Sequence, residues 1–319
     1  MIKKLSLFGV LVAVLAVVFF GNMAKDEAAT PLPNLEEEVV RTRSAPEEGA
    51  LVEKIDKPVS VVKRAEQWPG FTYLQKNKQG YPEYRHKKSG IVFVALPGGQ
   101  FPMGSPQNET GRLRDETLHK VSLSPFLIAK YEVTQAQWKK VMGKNPAHFR
   151  GNEHPVENIS WTETQKFLKA CGLMLPTEAQ WEYACRAGWP GMFSPPPSIS
   201  RAGWYDFNSD ITGKGPTTHP VGKKQPNRFG IYDMHGNVSE RCRDVYDKNF
   251  YSKPAASVKD PVNLDGRTLP DARYVIRGGR CATNMLNCRA AHRDNLWFPE
   301  NDQDRTDANW FTGFRPVYR

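Results

Sequence analysis

The chain has none of the short motifs that identify several large classes of enzyme. It contains no Walker phosphate-binding loop, no dinucleotide-binding glycine pattern and no nucleophile elbow. No two of its seven histidines are spaced as His-x-x-x-His. These absences exclude P-loop nucleotide hydrolysis, Rossmann-type redox chemistry, α/β-hydrolase catalysis and a zinc site of that spacing.

The chain also lacks the signatures of a nucleic-acid-binding protein. Its formal net charge is +10, yet it has no RNP motif, no zinc-finger pattern and no arginine-rich tract. The lysines and arginines are scattered along the chain, as they are on an ordinary solvated surface. We therefore expect no nucleic acid partner.

No cysteine follows the apolar run near the N-terminus, which excludes a lipoprotein. Two lysines precede roughly 16 apolar residues, which predicts a signal peptide or a membrane anchor at residues 1–24 and export to the periplasm or the extracellular space. Residues 25–66 are acidic and hold few large apolar groups, so they predict a disordered tether. Residues 67–89 are expected to dock on a folded domain at 90–319.

Regular secondary structure is predicted mainly before Gly188. Apolar runs predict strands at residues 91–96, 101–105 and 121–128. Three helices, the last two at 161–171 and 178–186, are predicted by capping boxes that pair Thr134 with Gln137, Ser160 with Glu163, and Thr177 with Gln180. The remaining loops must then be held by buried aromatic rings, bound cations or disulfides.

Seven motifs in a fixed order resemble the formylglycine-generating-enzyme, or sulfatase-modifying factor, family. They lie at residues 93–105, 130–138, 154–161, 175–188, 227–238, 277–279 and 313–315. The resemblance implies an α+β fold related to C-type lectins, with little regular secondary structure and with calcium as a stabilising ion. The family includes an oxidase that converts a cysteine of sulfatases to formylglycine, and many exported bacterial members of unknown chemistry.

The cysteines depart from the pattern that formylglycine formation requires. Members with this activity bind copper(I) through two cysteines separated by four residues, and soft thiolates suit that ion. Here Cys281 and Cys288 are separated by six residues. The resemblance therefore predicts that the copper site is absent. In the alternative, Cys281 and Cys288 are catalytic thiols that use copper(I) or oxygen.

The resemblance also implies a disulfide between Cys185 and Cys288, because the family commonly pairs cysteines in these two motifs. An exported protein favours such bonds. A second pairing, Cys242 with Cys281, is the weaker expectation, and Cys171 is expected to be a small buried group on the second helix. Connectivity is not fixed by sequence.

Calcium is expected at the loop that contains Asn237, Val238 and Glu240, where the family resemblance places a calcium site and where oxygen ligands are closely spaced. A second site is expected near Asn208 and Asp210. The family has tryptophan in place of Ser239 and Arg241, so a large apolar wall is missing near this loop. An Asn-Gly turn with a surface glutamate is the alternative interpretation.

Arg280, His292 and Arg293 form a candidate cleft for an anionic ligand; an exposed arginine pair is the alternative. The sequence thus predicts an exported binding or assembly module, stabilised by calcium and disulfides, that contacts a protein partner or a peptide substrate. The competing hypothesis is an oxidoreductase that generates formylglycine on sulfatase-type substrates. Whether the chain is an enzyme stays open.

Overall fold

The computed structural model of the chain describes residues 68–196, 198–269, 272–297 and 309–319. These residues belong to one unit that spans residues 51–319. The predicted signal peptide or anchor and the predicted tether lie outside the described residues. Among the helices described, none has the length and apolar composition needed to span a membrane.

Eleven short strands form three sheets. Their bounds are β1 Phe71–Lys76, β2 Pro82–His86, β3 Val92–Leu96, β4 Gly99–Met103, β5 His119–Leu123, β6 Phe126–Ala129, β7 Ser239–Val245, β8 Arg273–Arg277, β9 Asp294–Trp297, β10 Thr312–Gly313 and β11 Val317–Tyr318. The first sheet has the antiparallel order β1-β2-β3-β6-β11, the second has the order β10-β7-β8-β9, and β4 pairs with β5. In the second sheet β10 runs parallel to β7.

Two stretches differ from the sequence expectation for strands. The predicted strand at residues 121–128 is two strands, because Pro125 cannot donate to a sheet ladder and the preceding Ser124 N–H donates to Asp260 instead. Residues 68–89, expected only to dock on the domain, supply β1 and β2 of the first sheet.

The described residues form five helices, which are α1 Gln135–Met142, α2 Trp161–Cys171, α3 Glu178–Arg186, α4 Ile199–Ala202 and α5 Asp206–Ser209. All three predicted capping boxes are present, each with its two reciprocal hydrogen bonds. A helix N-terminus leaves backbone N–H groups without partners, and these side chains satisfy them. The second and third helices have the bounds that the sequence predicts.

Beyond α3 the described chain consists largely of loops, which confirms the expectation of an α+β fold with little regular structure. Three short 3-10 helices, Phe250–Ser252, Pro254–Ser257 and Met285–Cys288, add to the two short helices α4 and α5. Aromatic contacts contribute to holding the loops: Phe229, in a loop beyond α5, packs on Tyr183 of α3 with ring centroids 5.3 Å apart.

Buried arginine–glutamate pairs also hold these loops, which the sequence did not indicate. Arg277 contacts Glu178 at 2.7 Å and Glu182 at 2.6 Å, so the end of β8 is fixed to α3. Arg289 contacts Glu109 and Glu116, both at 2.7 Å. Charges taken out of water are tolerated only when they are paired, so these six side chains fix segments distant in sequence to one another.

Candidate functional site

The candidate site lies where β8 ends in the glycine pair Gly278 and Gly279. Both have positive φ, 93° and 67°, which only glycine adopts readily. A Cβ atom at residue 279 would lie 2.5 Å from the sulfur of Cys288. Gly279 is therefore needed so that the Cys288 thiol can lie directly against the backbone.

Cys281 and Cys288 are free thiols, and both are 0% exposed. Burial raises the pKa of each to about 12, and the proximity of Cys288 contributes to the shift at Cys281. The sulfur of Cys288 lies 3.6 Å from the Thr283 hydroxyl oxygen and 3.7 Å from the Asn284 carbonyl oxygen. Both thiols are therefore neutral at physiological pH, and a neutral thiol is a weak nucleophile and a weak metal ligand.

A small cleft of about 10 Å³ lies next to these thiols. That volume has room for about one water molecule. Its lining brings together Arg280 and His292, two of the three residues predicted to form an anion site. The lining residues are Ser239, Ile276, Arg277, Gly279, Arg280, Thr283, Asn287, His292 and Asp294.

Arg293, the third predicted cleft residue, is not available for a ligand. Its Nε and Nη2 donate to the two carboxylate oxygens of Glu178 at 2.8 and 3.0 Å, and its guanidinium lies 4.0 Å from the centroid of the Tyr251 ring. The side chain is 1% exposed. The prediction of an anion-binding role for Arg293 was wrong, because a carboxylate 115 positions earlier in the chain pairs with it.

The predicted disulfide between Cys185 and Cys288 is not formed, and both cysteines are free. His235 contacts both residues: its Nδ1 donates to the Cys288 carbonyl oxygen at 2.7 Å, and its Nε2 lies 3.6 Å from the Cys185 sulfur. Nε2 also accepts from the Ser194 N–H, and burial lowers the pKa of His235 to about 4. A neutral imidazole links the two cysteines in place of a covalent bond.

The second predicted disulfide, between Cys242 and Cys281, is also absent. The two thiols have different surroundings. Cys242 is fully buried on β7, where Glu178 and Asp244 influence its pKa, whereas Glu132, Arg280 and Cys288 influence that of Cys281. Cys171 is buried at the end of α2, as expected.

The loop predicted to bind calcium has its oxygens engaged in other contacts. Both carboxylate oxygens of Glu240 contact Arg315, at 2.6 and 2.7 Å, and one also accepts from Trp181 Nε1 at 2.9 Å. The Asn237 side-chain oxygen accepts from the His219 N–H, and the Val238 N–H donates to Glu132. Calcium requires six to eight oxygen ligands, and in this arrangement these residues do not fit that requirement.

The second predicted calcium site is engaged in the same way. The side-chain oxygen of Asn208 accepts from the Tyr205 N–H, and its Nδ2 donates to the Gly203 carbonyl. The Asp210 carboxylate accepts from three backbone N–H groups of its own loop. Within the described residues, no group of three or more His, Cys, Asp or Glu side chains is arranged to hold a metal.

Arg315 is the positive charge at the centre of a buried cluster that includes Glu132, Asp233 and Glu240. Each of these three carboxylates is at most 1% exposed. Burial, with the repulsion of Asp233 and Glu240, raises the pKa of Glu132 well above its usual value. One guanidinium cannot neutralise three carboxylates, so protonation of the cluster stabilises the fold.

This cluster predicts that stability decreases as the pH rises through about 6. Burial raises the pKa of Asp233 to about 6, so the folded state binds its proton more tightly than the unfolded state does. Its contribution is complete below the unfolded pKa of Asp233 and is lost as pH rises through about 6. Urea unfolding should show a loss of about 1.4 kcal/mol between about pH 5 and pH 8, because the folded-state pKa lies only about one unit above pH 5.

The variant Asp233→Asn isolates this effect from the buried histidines. Burial lowers the pKa of His154 and of His219. These two side chains therefore stabilise the folded state above their unfolded pKa and destabilise it on acidification, which is opposite to the effect of Asp233. The difference between the wild type and Asp233→Asn cancels their contribution. A difference that does not change with pH would contradict the assignment to Asp233.

The sequence did not identify Thr283 and Asn287, which also line the cleft. It also did not identify Glu178 and Glu182, whose carboxylates pair with Arg277 and so position the glycine turn. No local pattern marks these residues, because their roles arise from contacts between distant segments.

Comparison with known proteins agrees with this architecture. The pattern described as "Sulfatase-modifying factor enzyme 1-like domain" matches residues 78–319. The chain is 27% identical over 289 residues to the formylglycine-generating enzyme of Streptomyces coelicolor, covering 68% of this chain and 91% of that one. It is 32% identical over 176 residues to chaperone protein LppX of Paenibacillus barcinonensis, covering 38% of this chain and 63%, less than two thirds, of that one.

A solved structure, that of PvdO from Pseudomonas aeruginosa, has a similar fold. It superposes with a TM-score of 0.62 and 26% sequence identity, and the match covers 78% of this chain and 98% of the other. The family pattern covers more than half of the chain and includes the glycine turn, both cleft cysteines and Arg315. The chain belongs to the family of sulfatase-modifying factor enzyme 1-like domains.

Proposed function

We propose that this chain is a binding module of the family, with a protein or peptide partner, in which the thiol chemistry of formylglycine formation does not occur. One observation carries the proposal: Cys281 and Cys288 are neutral, fully buried thiols beside a cleft with a volume of about 10 Å³. The proposal includes export, which the basic and apolar N-terminus predicts.

The geometry disfavours both steps of the catalytic alternative. Copper(I) prefers soft thiolate ligands at an accessible site, whereas both thiols are 0% exposed. A peptide cysteine must also reach the reacting sulfur, and a cleft with room for about one water molecule does not admit a side chain. The Thr283 hydroxyl, which lines this cleft and lies 3.6 Å from the Cys288 sulfur, restricts access further.

The names of the relatives are compatible with a role that does not involve catalysis. One relative is named a formylglycine-generating enzyme and another a chaperone, so the same domain type occurs in proteins named for different activities. Fold alone does not determine function, which must be argued from the site. The proposed function does not require stabilisation by calcium, because Arg315 already neutralises the charge of Glu240.

The test is copper(I) binding by the purified, reduced full-length chain in competition with a chromogenic chelator. We expect the native chain to bind far less than one copper(I) ion per molecule, because both thiols are buried and neutral. Cysteine labelling followed by peptide mapping should show Cys281 and Cys288 unmodified in the native state and fully labelled in denaturant.

Two serine variants make this test specific. Stoichiometric copper binding that is lost in Cys281→Ser and kept in Cys171→Ser would overturn the proposal. Cys171 is the matched control because it is also a buried free thiol, but it lies on α2, which contributes no residue to the cleft lining.

The catalytic alternative has one observation in its favour: Cys281 and Cys288 are both free, and Cys288 is close enough to add to the effect of burial in raising the pKa of Cys281. Mass spectrometry of a sulfatase-motif peptide co-expressed with the chain tests it directly. Conversion of the peptide cysteine to formylglycine under aerobic conditions would establish the oxidoreductase. An unmodified cysteine supports the binding module.

A further inference from the structure

A groove with a volume of about 290 Å³ shares no lining residue with the cysteine cleft. One wall is aromatic: the rings of Trp161, at the start of α2, and Tyr274, on β8, lie with centroids 4.3 Å apart. This volume approaches that of ordinary ligand sites, which begin at about 300 Å³. The groove therefore has room for several side chains, whereas the cysteine cleft does not have room for one.

The floor of the groove is aliphatic and rigidly held. It is formed by Leu173, Met174 and Leu175, which follow the C-terminus of α2. Met174 exchanges two backbone hydrogen bonds with Val317 on β11, at 3.1 and 2.8 Å, so the segment cannot collapse into the groove. Met174 is nevertheless 39% exposed, whereas Leu173 and Leu175 are 5% and 4% exposed and belong to the core. The Met174 side chain is therefore the apolar surface of the floor that a partner would contact.

The rim is positively charged. Arg243 and Arg267 both line the groove and are exposed. No ion pair or side-chain hydrogen bond joins either guanidinium to another residue in the described part of the chain, and no aspartate or glutamate is among the lining residues. Two guanidinium groups without carboxylate partners favour an anionic ligand, because arginine binds carboxylates through two parallel hydrogen bonds.

We propose that this groove binds an acidic peptide segment, whose apolar side chains lie on the aliphatic floor while its carboxylates pair with Arg243 and Arg267. The inference rests on the proposed function, because it names the binding surface and the class of partner. An acidic peptide fits the groove better than an acidic oligosaccharide does, because the floor is aliphatic and Gln165 supplies the one side-chain amide among the lining residues. Sugars require more hydrogen-bonding groups than these.

The experiment uses the full-length chain and a fluorescein-labelled dodecapeptide that alternates glutamate with leucine or phenylalanine. Fluorescence anisotropy should show saturable binding that weakens as salt is added. Arg243→Ala and Arg267→Ala should each weaken binding about tenfold, the loss of one charge-assisted contact. Met174→Glu should weaken peptide binding at least as much, because it places a carboxylate on the floor of the groove, where it repels the glutamates of the peptide. Arg85→Ala, an exposed arginine outside the groove, is the matched control and should change nothing.

Three results would overturn the inference. They are equal binding of a peptide with lysine in place of glutamate, undiminished binding by Met174→Glu, and a preference for a polyuronate oligosaccharide over the peptide. Circular dichroism and the urea midpoint of each variant show that the fold is intact. Copper binding or formylglycine formation would instead contradict the proposed function and leave the groove result standing, so the two failures are distinguishable.

Discussion

Replacing Arg277 with methionine is expected to lower the free energy of unfolding by about 3 to 5 kcal/mol. The Arg277 side chain is 0% exposed and is the shared partner of Glu178 and Glu182. Its removal breaks buried hydrogen bonds to both carboxylates and to the Ala290 carbonyl, and leaves Arg293 and Arg186 as the remaining cationic partners of Glu178 and Glu182. Urea-induced unfolding, followed by tryptophan fluorescence, measures the change.

Two comparisons make this result specific to the buried network. Lys253→Ala removes the exposed partner of Asp247 and should leave the urea midpoint unchanged, because surface ion pairs contribute little. Glu182→Gln, combined with Arg277→Met, should not recover the loss, because Arg186 would then lose its own carboxylate partner. An Arg277→Met midpoint equal to that of the wild type would show that the network does not support the fold.

Replacing Gly236 with alanine is expected to destabilise the chain by at least about 3 kcal/mol. Gly236 has a φ of 102°, and an added Cβ would lie 1.9 Å from the Trp204 carbonyl oxygen. That carbonyl accepts the Asn237 N–H at 2.7 Å, so moving it breaks the bond that closes the loop. A lower urea midpoint, or loss of the folded chain from the soluble fraction, is the expected result.

Gly213→Ala separates backbone strain from this steric conflict. Gly213 has a φ of 71°, but nothing lies within 4 Å of an added Cβ atom there. Only the cost of a left-handed alanine remains, which is about 1 to 2 kcal/mol. If the two variants had equal unfolding free energies, the close approach of the Trp204 carbonyl would not be the reason for the glycine at position 236.

Local features of the fold were predictable because their causes lie within a few residues. Each capping box joins residues three apart, so Thr134, Ser160 and Thr177 mark the helix starts directly in the sequence. The break between β5 and β6 was also visible in principle, since Pro125 interrupts the apolar run. The order of the family motifs was sufficient to predict the fold class.

The fate of the cysteines was not predictable in this way. The family resemblance predicted that Cys288 is cross-linked to Cys185, whereas both are free and His235 contacts each of them. The expected absence of a copper site stays a prediction. Burial keeps Cys281 and Cys288 protonated and out of reach, and burial is a property of the surrounding loops.

The sequence by itself determined the family, the helix starts and the position of the glycine turn, because each depends on neighbouring residues or on a linear order of motifs. Only the tertiary structure decided which charges are free. Arg277 meets Glu182 across 95 positions and Arg289 meets Glu109 across 180, so both are structural, whereas Arg243 and Arg267 have no such partner among the residues that the structure describes. An arginine carries the same charge whether it pairs with a buried carboxylate or faces solvent, and only the folded path of the chain determines whether a carboxylate lies next to it.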